Sequence, residues 1–297
     1  MGRARVFPRT ARSILTPTGG YLRGFTHSLQ PYAGCAFSCA YCYVREMAVQ
    51  RTNPYGLAWG RWVAPKTNAP ELLRARARRR GLRGLRIFCS SATDPYLPLE
   101  RRLRLTRGCL EVMAEHPPDA LVLQTRSPLV ARDIDLLARL PVLASVTVTT
   151  DREDVRRLLE PDSPSLALRV EVLARLRGAG VRTQAAVAPL LPCDPERLAR
   201  ELDPVVDRVV VDDFFLGDGA GGRRSLMALE QLRAAGHESY THPGYAEEAL
   251  RVLRAILGPE RVVVSQAGFA DLSPVLGAGG GASPPQCSPS GSTKTYS

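Results

Sequence analysis

The sequence predicts an α/β protein, a partial (β/α)6-type barrel, and three observations carry that reading. Short apolar runs alternate with helical patterns along most of the chain, which implies a parallel sheet with helices outside it. The chain has 297 residues and 44% hydrophobic content, enough for one large core. A complete eight-fold barrel usually needs about 250 residues, and only six or seven strands can be placed, so the barrel is incomplete.

The strands are expected at Phe25–Leu29, Leu85–Ser90, Leu121–Thr125, Leu143–Thr149, Arg182–Ala188, Arg208–Val211 and Val262–Ser265. Between them, helices are expected at Glu71–Arg80, Thr106–Glu115, Ala131–Leu140, Ser165–Arg177, Pro195–Leu202 and Ala246–Leu257. Asn68 and Asp194 are placed as N-caps, and Gly178 and Gly180 follow a helix end as C-terminal glycines do. Residues 1–24 are basic and rich in Gly and Pro, and read as a loose lead-in. Residues 25–276 form the core, with a late substrate-side segment at 216–276. Residues 277–297 are Gly-, Pro- and Ser-rich and read as a disordered tail.

Composition narrows the class. Charged residues make up 23% and the formal net charge is +11, nearly all of it from arginine, since lysine occurs only at Lys66 and Lys294. Arginine binds phosphate in bidentate fashion, so nucleic acid is one candidate partner. The other reading is that arginine has simply replaced lysine, since a total shows no patch. The densest run, Arg74 to Arg86, falls on an expected helix, where a solvated face is the default. Seven cysteines, three of them within eight residues, do not form a disulfide framework. No secretory signal and no membrane-length apolar stretch is found, so a cytoplasmic protein without a membrane partner is expected.

The chemistry concentrates at the first strand end. The segment Gln30-Pro-Tyr-Ala-Gly-Cys35-Ala-Phe-Ser-Cys39-Ala-Tyr-Cys42-Tyr-Val-Arg45 crowds three thiols onto one loop. Thiolates are the preferred ligands of iron–sulfur clusters, and three of them leave one iron of a cubane open. A zinc site is the alternative, but zinc ordinarily takes a fourth protein ligand and none follows at finger spacing. Polar residues then recur at later strand ends, in Ser91–Glu100, Thr125–Leu137 and Ser145–Thr147. Hydroxyls and an arginine suit the carboxylate of an amino acid and a ribose.

Cys35, Cys39, Tyr41 and Cys42 match C-x3-C-x-aromatic-C, and the chain here resembles the radical SAM superfamily. The preceding Pro-Tyr-x-Gly, Ser91–Glu100, Thr125–Leu137, Ser145–Thr147 and Leu159–Pro161 resemble its spore photoproduct lyase-like group, over roughly residues 25 to 215. The resemblance implies a 4Fe-4S cluster on Cys35, Cys39 and Cys42, with S-adenosylmethionine on the open iron and Tyr41 against the cofactor. It implies that Thr93, or Ser91 in its place, together with Arg126 and Ser145, meets the methionine part. It implies reductive cleavage to a 5′-deoxyadenosyl radical, fed by an external flavodoxin- or ferredoxin-type electron donor. A family lyase uses a cysteine near this strand as hydrogen donor. Cys89 is not at the matching position and reads as a small buried residue. If the strand stays regular, Cys89 shares a face with Ser91 and Thr93. The reading from a different class is a non-catalytic iron–sulfur or zinc module that binds nucleic acid. No motif can be placed on Leu216–Tyr245, and Cys287 falls in the expected tail.

Overall fold

The computed structural model describes residues 4–214, 223 and 226–272. The expected tail at 277–297, with Cys287, and part of the 216–276 segment lie outside the described residues.

Eleven strands run in chain order: β1 (Arg5–Val6), β2 (Leu15–Pro17), β3 (His27–Leu29), β4 (Tyr32–Cys35), β5 (Trp62–Pro65), β6 (Arg86–Cys89), β7 (Ala120–Thr125), β8 (Val142–Thr147), β9 (Arg182–Val187), β10 (Arg208–Val211) and β11 (Val262–Val264). The main sheet has the order β11-β10-β9-β8-β7-β6-β3-β2. Every neighbouring pair in it is parallel except β2 with β3. This is the unclosed α/β barrel that the alternation predicts, with all seven expected strands present. Helices Ala69–Arg80, Leu105–Glu115, Leu166–Gly178 and Pro195–Leu202 cross between successive strands.

Both faces of the sheet are buried, as parallel sheets require. On β8, Val142, Ala144 and Val146 pack into the layer shared with the outer helices, while Leu143 packs with Phe25, Phe88, Val122, Ala186, Val210 and Phe269 on the inner face. Period-2 alternation therefore sends Ser145 and Thr147 inward, toward the mouth of the barrel.

The open side is bridged by irregular chain. The turn Gly20–Leu22, between β2 and β3 at one edge of the sheet, meets helix Ser265–Ala270, beyond β11 at the other. Gln266 Nε2 donates to Gly20 O at 2.6 Å, and Arg86 Nη2 to Ala270 O at 2.7 Å. The Tyr21 and Phe269 rings meet edge-on at 5.9 Å. Residues 4–24 are thus not a loose lead-in. They supply β1 and β2 and help close the barrel.

Other elements also differ from expectation. The cluster loop does not leave β3 directly. A second sheet, β1-β5-β4, intervenes, and Cys35 is the last residue of β4, opposite Trp62 on β5. Gly34 has φ of +73°, and a Cβ there would lie 2.4 Å from Trp62 O. The Gly before Cys35 is therefore required by the approach of β5. The expected helix Ala131–Leu140 is a 3-10 turn, Pro128–Asp133, followed by a single α-turn, Ile134–Leu137. Asp133 is drawn inward there by Tyr96, Arg107 and Arg132. Asp194 caps its helix, accepting from Glu196 N at 3.0 Å and Arg197 N at 3.1 Å. Asn68 does not cap. Its side chain pairs with both backbone groups of Ala11, at 2.8 and 2.9 Å, and ties the N-terminal segment down.

The seam gives a test. A Cβ on Gly24 would lie 2.4 Å from Ala270 Cβ, whereas Gly178, in a helix, has nothing within 4 Å. Gly24→Ala is expected to lower unfolding free energy by about 1–3 kcal/mol. Gly178→Ala is expected to raise it by about 0.5–1 kcal/mol. Urea titration of both variants measures the difference, and an unchanged Gly24→Ala midpoint would show that the seam bears no load.

Candidate active site

The C-terminal ends of the parallel strands open into one cavity of about 520 Å³. Cys35, Cys39 and Cys42 line one end of it. All three are free thiols; Cys35 and Cys39 are buried and Cys42 is half-buried. The loop that carries them is pinned by its backbone. Arg45 Nε donates to Cys39 O at 3.0 Å and its Nη2 to Ser38 O at 2.9 Å. Ala40 N donates to Leu159 O at 2.8 Å. Burial, and next the neighbouring Cys39 sulfur, pushes the Cys42 thiol up to about 11, and the same two causes raise Cys35. Burial raises Cys39 too, against the pull of Arg126. Such thiols ionise readily only when a cation replaces the proton.

Arg126, just beyond β7, reaches over this loop. Its Nη1 lies 2.9 Å from Cys39 Sγ, 3.1 Å from Tyr41 Oη and 3.3 Å from Glu160 Oε1. Its guanidinium stands 5.9 Å from the Tyr41 ring centroid. Glu160 is fully buried. It accepts from the Tyr41 hydroxyl, from Thr149 Oγ1 at 2.9 Å and from Arg169, which is itself fully buried. Burial pushes Glu160 up, but Arg169 and Arg126 outweigh it and bring the carboxyl down to about 2. Asp94 fixes the backbone of the same corner, accepting from Tyr96 N at 2.8 Å, Thr125 Oγ1 at 2.7 Å and Arg126 N at 2.9 Å.

The structure brings most of the expected residues together. Cys35, Cys39, Tyr41, Cys42, Ser91, Thr93 and Arg126 all line the cavity. Ser91 Oγ accepts from Gln30 Nε2 at 2.8 Å, and Thr93 donates to Gly34 O. Ser145 is not brought to the cavity. It is fully buried and its hydroxyl accepts from Gln184 Nε2 at 2.7 Å. Thr147, one step further along β8, lines the wall instead and accepts from Gln124 Nε2 at 2.8 Å. Nor does Cys89 share a face with Ser91 and Thr93. Strand β6 ends at Cys89, whose side chain packs with the outer helices, while Ser90 to Asp94 all border the cavity. Glu160 lay inside the quoted Leu159–Pro161 segment without a role. Asp212 and Gln124 carry no motif.

The donor set suits an iron–sulfur cubane. Among the described residues, no three His, Cys, Asp or Glu side chains converge as a single metal ion demands. A cubane instead spreads three thiolates over three irons and needs no such convergence.

Comparison with known proteins agrees. The radical SAM superfamily model matches residues 29–205. An uncharacterised protein of Methanocaldococcus jannaschii is 31% identical over 197 residues, which is 65% of this chain and 71% of that one. An uncharacterised protein of Mycobacterium bovis is 28% identical over 172 residues, covering 57% of this chain, and the match spans only half of that relative's length. Among solved structures, a spore photoproduct lyase variant superposes with a TM-score of 0.61 at 15% identity, covering 87% of this chain and 81% of the other. Another, with AdoMet and dinucleoside spore photoproduct bound, gives 0.54 at 15% identity, with 70% and 61% covered. At such identities these likenesses speak for the fold. Among the described residues no helix is long and apolar enough to cross a membrane. With the family model matching more than half of its length, the chain belongs to the radical SAM superfamily, enzymes that use a 4Fe-4S cluster and S-adenosylmethionine.

Proposed function

We propose that Cys35, Cys39 and Cys42 each ligate one iron of the cluster, and that the chain makes a 5′-deoxyadenosyl radical to take hydrogen from a substrate. The observation that carries this reading is the meeting of three cysteines and Arg126 at one end of a single cavity, with Arg126 Nη1 2.9 Å from Cys39 Sγ. A 4Fe-4S cluster held there by Cys35, Cys39 and Cys42 would supply the single electron that reductive cleavage of S-adenosylmethionine needs.

In this reading Arg126 offers charge to the cofactor carboxylate, and Glu160 holds the guanidinium at that height. Ser91 and Thr93 present hydroxyls on the β6 side. Tyr41 fixes its ring beneath Arg126 through Glu160. Ser145 supports Gln184 under the floor, and Thr147 takes its place at the wall. The walls exclude water from a reactive radical. An external one-electron donor of flavodoxin or ferredoxin type completes the cycle.

A dinucleoside lesion is bound by one solved neighbour. For this chain, the nucleic-acid reading stands on its net charge of +11. The cavity adds nothing to it, because its one cationic lining residue among those described, Arg126, is given to the cofactor in this reading. Phosphate binding would have to occur outside the cavity, on exposed arginines such as Arg78, Arg79 and Arg80.

Three outcomes test the reading. Anaerobic reconstitution should load about four irons per chain. With dithionite and S-adenosylmethionine it should yield 5′-deoxyadenosine, while bound zinc and no nucleoside product would refute the assignment. Cys35→Ala, Cys39→Ala or Cys42→Ala should each abolish the cluster absorbance, and Cys109→Ala, buried among the outer helices, should leave it intact.

Arg126→Gln should keep the cluster and weaken S-adenosylmethionine binding about 10- to 100-fold in equilibrium dialysis, the loss of a charge-assisted hydrogen bond. Unchanged binding would remove Arg126 from the cofactor.

Glu160 gives a pH test. Its folded value of about 2 lies below the ordinary 4.5, so its contribution to stability is fully present above about pH 4.5 and is lost as pH falls toward 2. Glu160→Gln should flatten the acid limb of an unfolding-midpoint-against-pH curve between those limits; a parallel curve would show that the carboxylate is not held low.

A further inference from the structure

The end of the cavity farthest along the sheet from the cysteines has a different character. Asp212 follows β10, while Arg126 follows β7, so β8 and β9 separate them. Asp212 lines the cavity yet is only 5% exposed. Its carboxylate accepts from the Tyr21 hydroxyl and, at 3.2 Å, from Asp213 N. These donors are neutral. Among the described residues no lysine or arginine forms an ion pair with Asp212. Burial raises it to about 6. A buried carboxylate without a counter-cation is costly, and such charges are ordinarily paired.

The wall beside it is aromatic. Tyr21, Phe88 and Phe269 all border the cavity, with Phe88 and Phe269 centroids 6.3 Å apart. Ring faces attract cations and reject phosphates. The turn and the helix that bridge the barrel's open side supply Tyr21 and Phe269. Asp213, the next residue, also lines the cavity and adds a second carboxylate beside Asp212.

We propose that Asp212 is the substrate-selecting residue of the cavity, and that it takes the ammonium of an amine-bearing substrate group against the Tyr21–Phe88–Phe269 wall. The missing counter-cation is then the substrate itself. This rests on the radical SAM reading only in placing the cofactor at the cysteine end.

Benzylamine, benzyl alcohol and benzyl phosphate probe the site directly. Each is titrated calorimetrically into anaerobically reconstituted protein saturated with S-adenosylmethionine and kept without reductant, so that no cleavage occurs. Benzylamine should bind at least about tenfold more tightly than benzyl alcohol, and benzyl phosphate should bind most weakly. Asp212→Asn, nearly isosteric and still able to accept from Tyr21, should erase the amine preference while leaving iron content and S-adenosylmethionine affinity unchanged. Tyr21→Phe, which removes a neutral donor and keeps the charge, should retain the preference, and it carries the test if Asp212→Asn fails to fold. Equal binding of amine and alcohol, tighter binding of the phosphate, loss of the preference in Tyr21→Phe, or loss of cofactor affinity in Asp212→Asn would each overturn the proposal. Failure of the wild-type protein to assemble a cluster would instead overturn the radical reading.

Discussion

The site hangs on one buried carboxylate held between two guanidiniums. Glu160 and Arg169 are both fully buried, and neither charge is tolerable there without the other. Arg169 also donates to Thr147 O at 3.2 Å and to Pro164 O at 2.9 Å. Arg156 donates to the Glu160 and Ser163 carbonyls at 2.8 and 2.9 Å. The network therefore joins the end of β8, the loop after Glu160 and the helix that carries Arg169. Through Tyr41 and Arg126 it also reaches the cysteine loop and the end of β7. The backbone of the cysteine loop is pinned by Arg45 and by Ala40 N to Leu159 O. The cysteines are placed also by an ion-pair lattice that the fold must complete in order to exist at all.

That lattice explains which features could be seen in the amino-acid order. The parallel strands are buried on both faces, so they stand out as apolar runs such as Leu121–Leu123 and Val209–Val211. The cysteine spacing is local and was legible for the same reason. Glu160 falls in the Leu159–Pro161 motif, but the motif does not give its role, because its partners Arg126, Thr149 and Arg169 are brought to it only by the fold. Strands β1, β2, β4 and β5 are two to four residues long, too short to show a period. Cys89 shows the limit of alternation. It holds only while the strand does, and β6 stops at that residue.

Arginine content was open to two readings, and the structure shows a part of it spent on internal bracing. Arg45, Arg132, Arg156, Arg169 and Arg261 all donate to backbone carbonyls. Arg208 is 3% exposed and bonds to Gln184 Oε1 at 2.5 Å. A planar fork of donors can tie several loop carbonyls at once, which an ammonium does less well. The charge total thus reflects internal bracing as well as surface.

The bridge across the barrel's open side has a consequence for biosynthesis. Gln266 and Gly20 are 246 positions apart, so one flank of the seal is synthesised long before the other. Closing a loop of that size from a free chain costs about 5 kcal/mol in entropy, and the sheet lowers that cost by ordering the intervening chain first. The cysteine loop and its ion-pair lattice are complete well before the seal can form. The nascent chain thus passes through a stage in which the cysteine loop is built but its flank stands open.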